Sequence, residues 1–429
     1  MDNNINERYA FMNRILIVED DKVLAKLLSK KLESTLTFKT DVAYSLHEAR
    51  LFIKRYNYFV ALLDLNLPDA PYGEVVDIML AKNIPSIVLS AELDSKVRTK
   101  ILQKDIIDYV KKGDMDELRY IIAAVERLYK NTEHKVLIVD DSLVFRNTLK
   151  KMVQNLFFKV VAVANGQEAL QMLKSDSQIK LILTDYNMPD MNGLELTKKV
   201  RKIYSKNEIS IIAISSDHNG EISALFLKHG ATDYITKPFS KEEFSCRLNN
   251  AIEALENIWT ITNSANRDFL TGLYNRRYFF KDMTEYFYNA KIKHENFCIA
   301  MIDIDNFKKI NDTFGHDMGD KVIIRLAEIL LHNTNEGDLV SRFGGEEFCI
   351  VLKDIEPEIA LKRLEKIRTK VQKALISKDN IAFTISIGVS FIQDDNLDEA
   401  INIADMMLYK AKHNGKNMII DDMDLNIVT

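Results

Sequence analysis

The sequence is poor in cysteine, with three in 429 residues: Cys246, Cys298 and Cys349. An odd number without metal-ligand spacing excludes a disulfide framework and a thiolate metal site. Cys298 and Cys349 lie inside apolar runs and read as buried free thiols in a reducing compartment. No apolar run approaches the roughly 18 residues of a membrane span. The opening Met1-Asp-Asn-Asn-Ile-Asn-Glu-Arg has no apolar stretch of the kind a secretory signal needs. A basic excess is missing too: 58 Lys and Arg against 63 Asp and Glu leave a net charge of −5. Nothing therefore points to a nucleic-acid backbone, and the interspersed charges read as solvated faces. What is present is 47% hydrophobic and 28% charged residues, the balance of a globular protein. The length suits about three domains of 100–200 residues. The expectation is a cytoplasmic, multidomain protein with neither a membrane nor a nucleic acid as partner.

The first 250 residues contain an internal repeat. Arg14-Ile-Leu-Ile-Val-Glu-Asp-Asp recurs as Lys135-Val-Leu-Ile-Val-Asp-Asp, and Ala61-Leu-Leu-Asp-Leu-Asn-Leu-Pro-Asp recurs as Ile182-Leu-Thr-Asp-Tyr-Asn-Met-Pro-Asp. Glu19 to Asp64 and Asp140 to Asp185 are both 45 residues, and Ser90 to Lys112 and Ser215 to Lys237 are both 22. Apolar strand runs such as Ile84-Pro-Ser-Ile-Val-Leu alternate with helical patterns such as Val23, Leu27 and Leu28. This alternation predicts two parallel-sheet α/β domains in tandem. Ligand sites in such sheets gather beyond the carboxyl ends of the strands. Glu19, Asp20, Asp64, Ser90 and Lys112 fall there in the first copy, and Asp140, Asp141, Asp185, Ser215 and Lys237 in the second. Acids that only cap helices would explain one pair, but not five matching positions repeated twice. Converging carboxylates need a divalent cation, and all-oxygen ligands favour Mg²⁺.

Both repeats resemble response-regulator receiver domains, over 13–130 and 134–256. The resemblance implies phosphoryl transfer from a histidine kinase or phosphotransfer protein to Asp64 or Asp185. It assigns Glu19/Asp20 and Asp140/Asp141 to Mg²⁺, with the carbonyls of Asn66 and Asn187. Ser90, Lys112, Ser215 and Lys237 would contact the phosphoryl group, and Tyr109 and Tyr234 hold the place of a switch aromatic. The second copy ends Lys237-Pro-Phe, as receivers usually do. The first ends Lys112-Gly and carries an extra residue near Ala70-Pro71, which is expected to alter its loop or output face.

Leu248, Ile252, Leu255 and Trp259 follow at 4-3-4 spacing, a coiled-coil-like seam. The first part reads as the last helix of the second receiver, and 250–267 as a connecting helix. Beyond Glu253 a free two-stranded seam and continued packing on the receiver are both open.

From Asp268 the chemistry changes. A buried strand, Phe297-Cys-Ile-Ala-Met-Ile, ends in Asp303-Ile-Asp305, and a polar segment from Asn306 to Asp320 leads into a helix over 322–331. Then two strand runs flank Gly344-Gly345, a β-hairpin signal in itself. A turn alone does not require the glutamates that follow, Glu346 and Glu347. Asp303 at a strand end with Glu346 at a hairpin offers the carboxylate site that Mg²⁺ takes with nucleotide phosphates. Lys412 and Lys416 offer cations to a triphosphate, while Asn311 and Asp320 match the edge of guanine.

Residues 268–425 resemble a GGDEF domain, the diguanylate cyclase family, in the Glu-for-Asp form Gly344-Gly345-Glu346-Glu347-Phe348. The match includes Asp268-Phe-Leu-Thr-Gly-Leu-Tyr-Asn-Arg-Arg and Thr384-Ile-Ser-Ile-Gly-Val-Ser. The resemblance implies condensation of two GTP into cyclic di-GMP by a homodimer. It gives Mg²⁺ to Asp303, the Ile304 carbonyl and Glu346, and guanine to Asn311 and Asp320. It sets His316 near the nucleotide and Lys308, Lys412 and Lys416 at the phosphates. Glu346 is the expected base, and Glu347 is expected to help hold a second metal. Two departures stand out: Lys416 where Arg is common, and Asn335-Glu-Gly-Asp338 where many members carry an inhibitory Arg-x-x-Asp. The second predicts weak or absent feedback inhibition. The fold class expected is α/β, two tandem flavodoxin-like receivers, followed by an α+β cyclase domain. A silent GGDEF domain that senses GTP or cyclic di-GMP, and a receiver-based adaptor, are the alternative functions.

Overall fold

A computed structural model describes residues 13–91, 95–113, 115–216, 220–376, 381–391 and 396–423. The amino-terminal octapeptide and the last residues of the expected 268–425 domain lie outside these. The chain divides into two compact units, Met1–Ile258 and Trp259–Thr429.

The first unit holds both repeats. The first runs β1 (Arg14–Val18), α1 (Lys22–Thr35), β2 (Lys39–Ala43), α2 (Leu46–Arg55), β3 (Val60–Asp64), α3 (Glu74–Ala81), β4 (Ser86–Ser90), α4 (Ser95–Leu102), β5 (Asp108–Lys111) and α5 (Met115–Asn131). The second runs β6 (Lys135–Val139), α6 (Leu143–Asn155), β7 (Lys159–Val163), α7 (Gly166–Ser175), β8 (Ile179–Asp185), α8 (Gly193–Arg201), β9 (Ser210–Ser215), α9 (Glu221–Lys228), β10 (Asp233–Thr236) and α10 (Lys241–Asn266). Their sheets are parallel, ordered β2-β1-β3-β4-β5 and β7-β6-β8-β9-β10. Helices cover both faces, so central strands such as Ile-Leu-Ile-Val are apolar throughout instead of alternating.

The two receivers are joined face to face. The α4–β5–α5 side of the first packs on α6 and α10 of the second. Arg127 grips Glu256 with two hydrogen bonds of 2.6 and 2.7 Å, Asn131 Nδ2 donates to the Leu156 carbonyl at 3.0 Å, and Arg98 meets Glu242. Phe157 belongs to the second receiver by sequence, yet it is buried in the core of the first, its ring 4.7 Å from that of Phe59. It does so with φ at +68°, in the left-handed region that a bulky residue rarely adopts.

The connector is one continuous helix, α10. Leu248, Ile252 and Leu255 are buried in the second receiver's core, so the expected seam is receiver packing as far as Leu255. Trp259, 69% exposed, is the one seam residue that stands clear of it.

The second unit contains β11 (Tyr274–Asn275), α11 (Arg276–Lys293), β12 (Phe297–Ile304), α12 (Phe307–Phe314), α13 (His316–Leu331), β13 (Leu339–Gly344), β14 (Glu347–Lys353), α14 (Pro357–Lys373), β15 (Leu375–Ile376), β16 (Ile381–Ala382), β17 (Ile385–Ser390), α15 (Leu397–His413) and β18 (Ile419–Asp421). Its mixed sheet is ordered β11-β13-β14-β12-β17-β18. Alternate residues of β12 face opposite layers: Cys298, Ala300 and Ile302 meet α13 and α14, while Phe297, Ile299 and Met301 meet α11 and α15. The expected helix over 322–331 is longer, starting at His316, and a further helix, α12, precedes it. The polar first turns hid this, and Gly315 (φ +84°) makes the break between the two helices.

Candidate functional sites

In each receiver the strand order brings the matched residues to one end of the sheet. Glu19 follows β1, Asp64 ends β3, Ser90 ends β4 and Lys112 follows β5; Asp140, Asp185, Ser215 and Lys237 repeat the placement. Among the described residues, oxygens of Glu19, Asp20 and Asp64 lie within 4.8 Å of one another. Lys112 Nζ sits between two of these acids, 2.8 Å from Glu19 and 2.6 Å from Asp64. Burial pushes the Glu19 carboxyl up to about 7, with Lys112 opposing and the Asp64 charge adding. Asp21 caps α1, accepting from Val23 N at 2.8 Å. Helix capping therefore explains that acid and leaves the others to the pocket.

The second pocket is arranged differently. Lys237 Nζ is 2.6 Å from Asp185 but 3.8 Å from Asp140, and it lies 3.7 Å from the Phe145 ring centre. Asp140 Oδ2 is buried without a hydrogen-bond partner, and burial, then Asp185, raises its pKa. Asp141 is exposed. Tyr109 and Tyr234 are both buried, on β5 and β10. Just before the extra residue of the first copy, Asp69 accepts from Leu46 N at 2.8 Å and His47 N at 2.9 Å, tying the loop after Asp64 to the start of α2.

In the second unit the hairpin β13–β14 turns at Gly345-Glu346, with Gly344 paired to Glu347. Gly345 has φ +45°, which suits the glycine-requiring first position of a two-residue hairpin turn. The turn sets Glu346 at the tip. Glu347 pairs with Asp303 across β14 and β12, one residue from the tip. Asp303 is 4% exposed, with Lys412 Nζ 2.7 Å from its Oδ2. Burial raises its pKa to about 6 against the pull of Lys412, and Glu346 and Glu347 add to the rise. The glycine of Thr384-Ile-Ser-Ile-Gly388 helps position Lys412. A Cβ at Gly388 would lie 2.0 Å from Leu408 N and 2.1 Å from the Ala404 carbonyl, so only glycine lets α15 lie on β17. Lys412 follows Leu408 by one turn.

The other expected residues surround this centre without all touching it. Ile304 ends β12. Lys308 is exposed on α12, while His316 and Asp320 are exposed on the first turns of α13. Asn311, on α12, holds its Oδ1 buried without a hydrogen-bond partner. Lys416 Nζ is 2.5 Å from Asn306 Oδ1, fastening the loop after α15 to the start of α12.

Several residues have structural roles that the sequence did not reveal. Arg342 donates to the Gly345 carbonyl at 2.8 Å and to Asp268 at 2.9 Å, and Asp268 also accepts from Thr271 Oγ1 at 2.7 Å. The Asp268 motif is thus a staple for the hairpin turn. Asp305 is structural, accepting from Thr384 Oγ1 at 2.7 Å, Ser386 Oγ at 2.6 Å and Asn417 N at 3.0 Å. Asp338 is committed as well, accepting from Asn335 N, Lys353 N and Arg363 at 2.7, 3.1 and 2.9 Å. No helix of the described residues is long and apolar enough to cross a membrane.

Comparison with known proteins agrees with this layout. The family described as "Response regulator receiver domain" matches residues 15–123 and 136–249, together more than half of the chain. "Diguanylate cyclase, GGDEF domain" matches residues 265–418. The response regulator PleD of Caulobacter vibrioides is 28% identical over 356 residues, covering 80% of this chain and 77% of PleD. Diguanylate cyclase DgcM of Escherichia coli is 38% identical over 165 residues, covering 37% of this chain and 39% of DgcM. A crystal structure of a two-component system response regulator/GGDEF domain protein aligns with 57% of this chain and 99% of its own, at 36% identity and a TM-score of 0.52. The chain belongs to the response-regulator family and is a PleD-type member, two receiver domains followed by a GGDEF diguanylate cyclase domain.

Proposed function

We propose that this chain condenses two GTP into cyclic di-GMP and two pyrophosphates as a homodimer, and that phosphorylation of Asp64 governs the dimer. The observation that carries the chemistry is buried Asp303, ion-paired with Lys412 and facing Glu347 across the sheet at the hairpin whose tip is Glu346. Each chain presents one GTP. The 3′-hydroxyl of each attacks the α-phosphate of the other, and pyrophosphate leaves. Glu346, at the tip, takes the hydroxyl proton. Lys308, Lys412 and Lys416 bind phosphate oxygens, with Lys412 exchanging Asp303 for them. Gly344 and Gly345 keep the hairpin bare so that phosphates can approach its backbone. Asn311 and Asp320 read guanine, and His316 lies alongside the nucleotide.

Asp303 is buried, which is the main cause of its raised pKa, Glu346 and Glu347 add to that rise against the pull of Lys412, and the donors are all oxygen. Asp303, the Ile304 carbonyl, Glu346 and Glu347 therefore fit Mg²⁺. Once bound, Mg²⁺ polarises the α-phosphate.

Control is assigned to the first receiver on two grounds. Its acid triad is already gathered, and its Tyr109-bearing strand lies on the face that packs against α10, the helix leading out of the receivers. A histidine kinase or phosphotransfer protein is the donor. Asn335, and the engagement of Asp338 with Arg363, support weak or absent product inhibition. A flat rate up to tens of micromolar cyclic di-GMP is the expected result.

The test is incubation of the pure chain with GTP and Mg²⁺. Cyclic di-GMP is expected, and Glu346→Gln should slow it by about 10²–10⁴-fold, the range of a lost general base. No product from the wild type would favour a nucleotide sensor instead.

A further inference from the structure

We infer that Gly319 is a positioning residue for nucleotide choice: its missing side chain makes the slot that seats the Asn311 amide to accept from the 2-amino group of guanine. The inference rests on the proposed GTP site. Gly319 lies inside α13, where glycine is a poor helix former by about 1 kcal/mol relative to alanine. It is not among the glycines with positive φ, so the backbone does not require it. Space does. A Cβ there would lie 1.9 Å from Asn311 Oδ1, 3.0 Å from its Cγ and 3.1 Å from Phe307 Cζ.

The neighbourhood leaves the amide little freedom. Gly315 N donates to the Asn311 carbonyl at 2.9 Å, and Gly319 N donates to the Gly315 carbonyl at 3.3 Å, knitting α12 to α13 at this point. Asn311 Oδ1 is buried with no hydrogen-bond partner. A buried acceptor left open is costly unless a ligand supplies the donor. The next residue, Asp320, is exposed on the same turn of helix and offers a second acceptor. Two neighbouring acceptors match the two donors of guanine, N1–H and the 2-amino group. Adenine has an acceptor at N1, and hypoxanthine lacks the 2-amino group. Comparing GTP with ITP therefore isolates the contact made by Asn311.

The experiment uses the full chain with Mg²⁺: steady-state kinetics with GTP and ITP, and equilibrium binding of 3′-deoxy-GTP, which has no attacking hydroxyl. Gly319→Ala, Asn311→Ala and the double variant are compared with wild type. Gly319→Ala should raise KM for GTP about tenfold, the size of one neutral hydrogen bond, and weaken 3′-deoxy-GTP equally. It should leave kcat and KM for ITP within about threefold, the pattern of lost binding and not lost chemistry. Its Tm should be unchanged or higher, and adding it to Asn311→Ala should cost nothing further. An unchanged GTP-to-ITP ratio in Gly319→Ala, or an equal loss for both nucleotides with a lower Tm, overturns the positioning role. If Asn311→Ala itself leaves that ratio unchanged, the guanine assignment fails, and the inference with it.

Discussion

The two receivers carry the same residues at the same spacing, yet their pockets close differently. Lys112 bridges Glu19 and Asp64 closely, whereas Lys237, over the Phe145 ring, holds Asp185 at 2.6 Å and Asp140 only at 3.8 Å. One receiver also gives its α4–β5–α5 face to the joint, and the other gives α6 and α10. A repeat in sequence has become a head-to-tail pair, in which equivalent surfaces do different work. Matching motifs thus give each pocket the same set of residues, and the packing around them arranges those residues differently.

The largest expected effect that sharpens this contrast is at Phe157. Phe157→Ala should cost about 3–5 kcal/mol, as large aromatic truncations in cores do. Thr37, which precedes Phe38 as Phe157 precedes Phe158, is exposed, and Thr37→Ala should stay within about 0.5 kcal/mol. Urea unfolding of the receivers followed by circular dichroism measures both. Equal effects would mean that the joint is not asymmetric.

Next comes Glu19. Its folded pKa is raised, so its stabilising share is present below its ordinary value and is lost as pH climbs toward 7. In Mg²⁺-free buffer at pH 8, Glu19→Gln should therefore stabilise the protein by about 1–3 kcal/mol, and little at pH 4. Added Mg²⁺ should erase the gain by stabilising only the wild type. Tm with and without Mg²⁺ is the readout, and a gain that survives Mg²⁺ would contradict the pocket.

The smallest effect is at Asp69. Burial pushes its carboxyl up, but the amides of Leu46 and His47 outweigh that and hold it low. This cap is present at neutral pH and is lost as pH falls below about 4. Asp69→Ala should cost about 1 kcal/mol and loosen the start of α2, seen by amide exchange. Ser45, the local cap of α2, remains.

Much of this was legible because spacing is local information. The repeat gave away both parallel sheets, and Gly-Gly between strand runs gave away the hairpin. Contacts between distant segments were not legible. Leu248, Ile252 and Leu255 have the spacing of a free seam, but the second receiver's core claims them. Phe157 looks like an ordinary residue near a strand until the fold of the other receiver is known. Asp338 was read as half of an inhibitory pair, yet Arg363, 25 residues on, has its carboxylate. Gly319 gave no sign, because the polar segment before residue 322 was not read as helix, and the neighbour that needs the space was hidden.

The most direct measurement is the initial rate of cyclic di-GMP synthesis with and without beryllofluoride, in wild type, Asp64→Asn and Asp185→Asn. Stimulation should vanish in Asp64→Asn and largely persist in Asp185→Asn. Stimulation that survives in Asp64→Asn and is lost in Asp185→Asn would contradict the assignment of control to the first receiver.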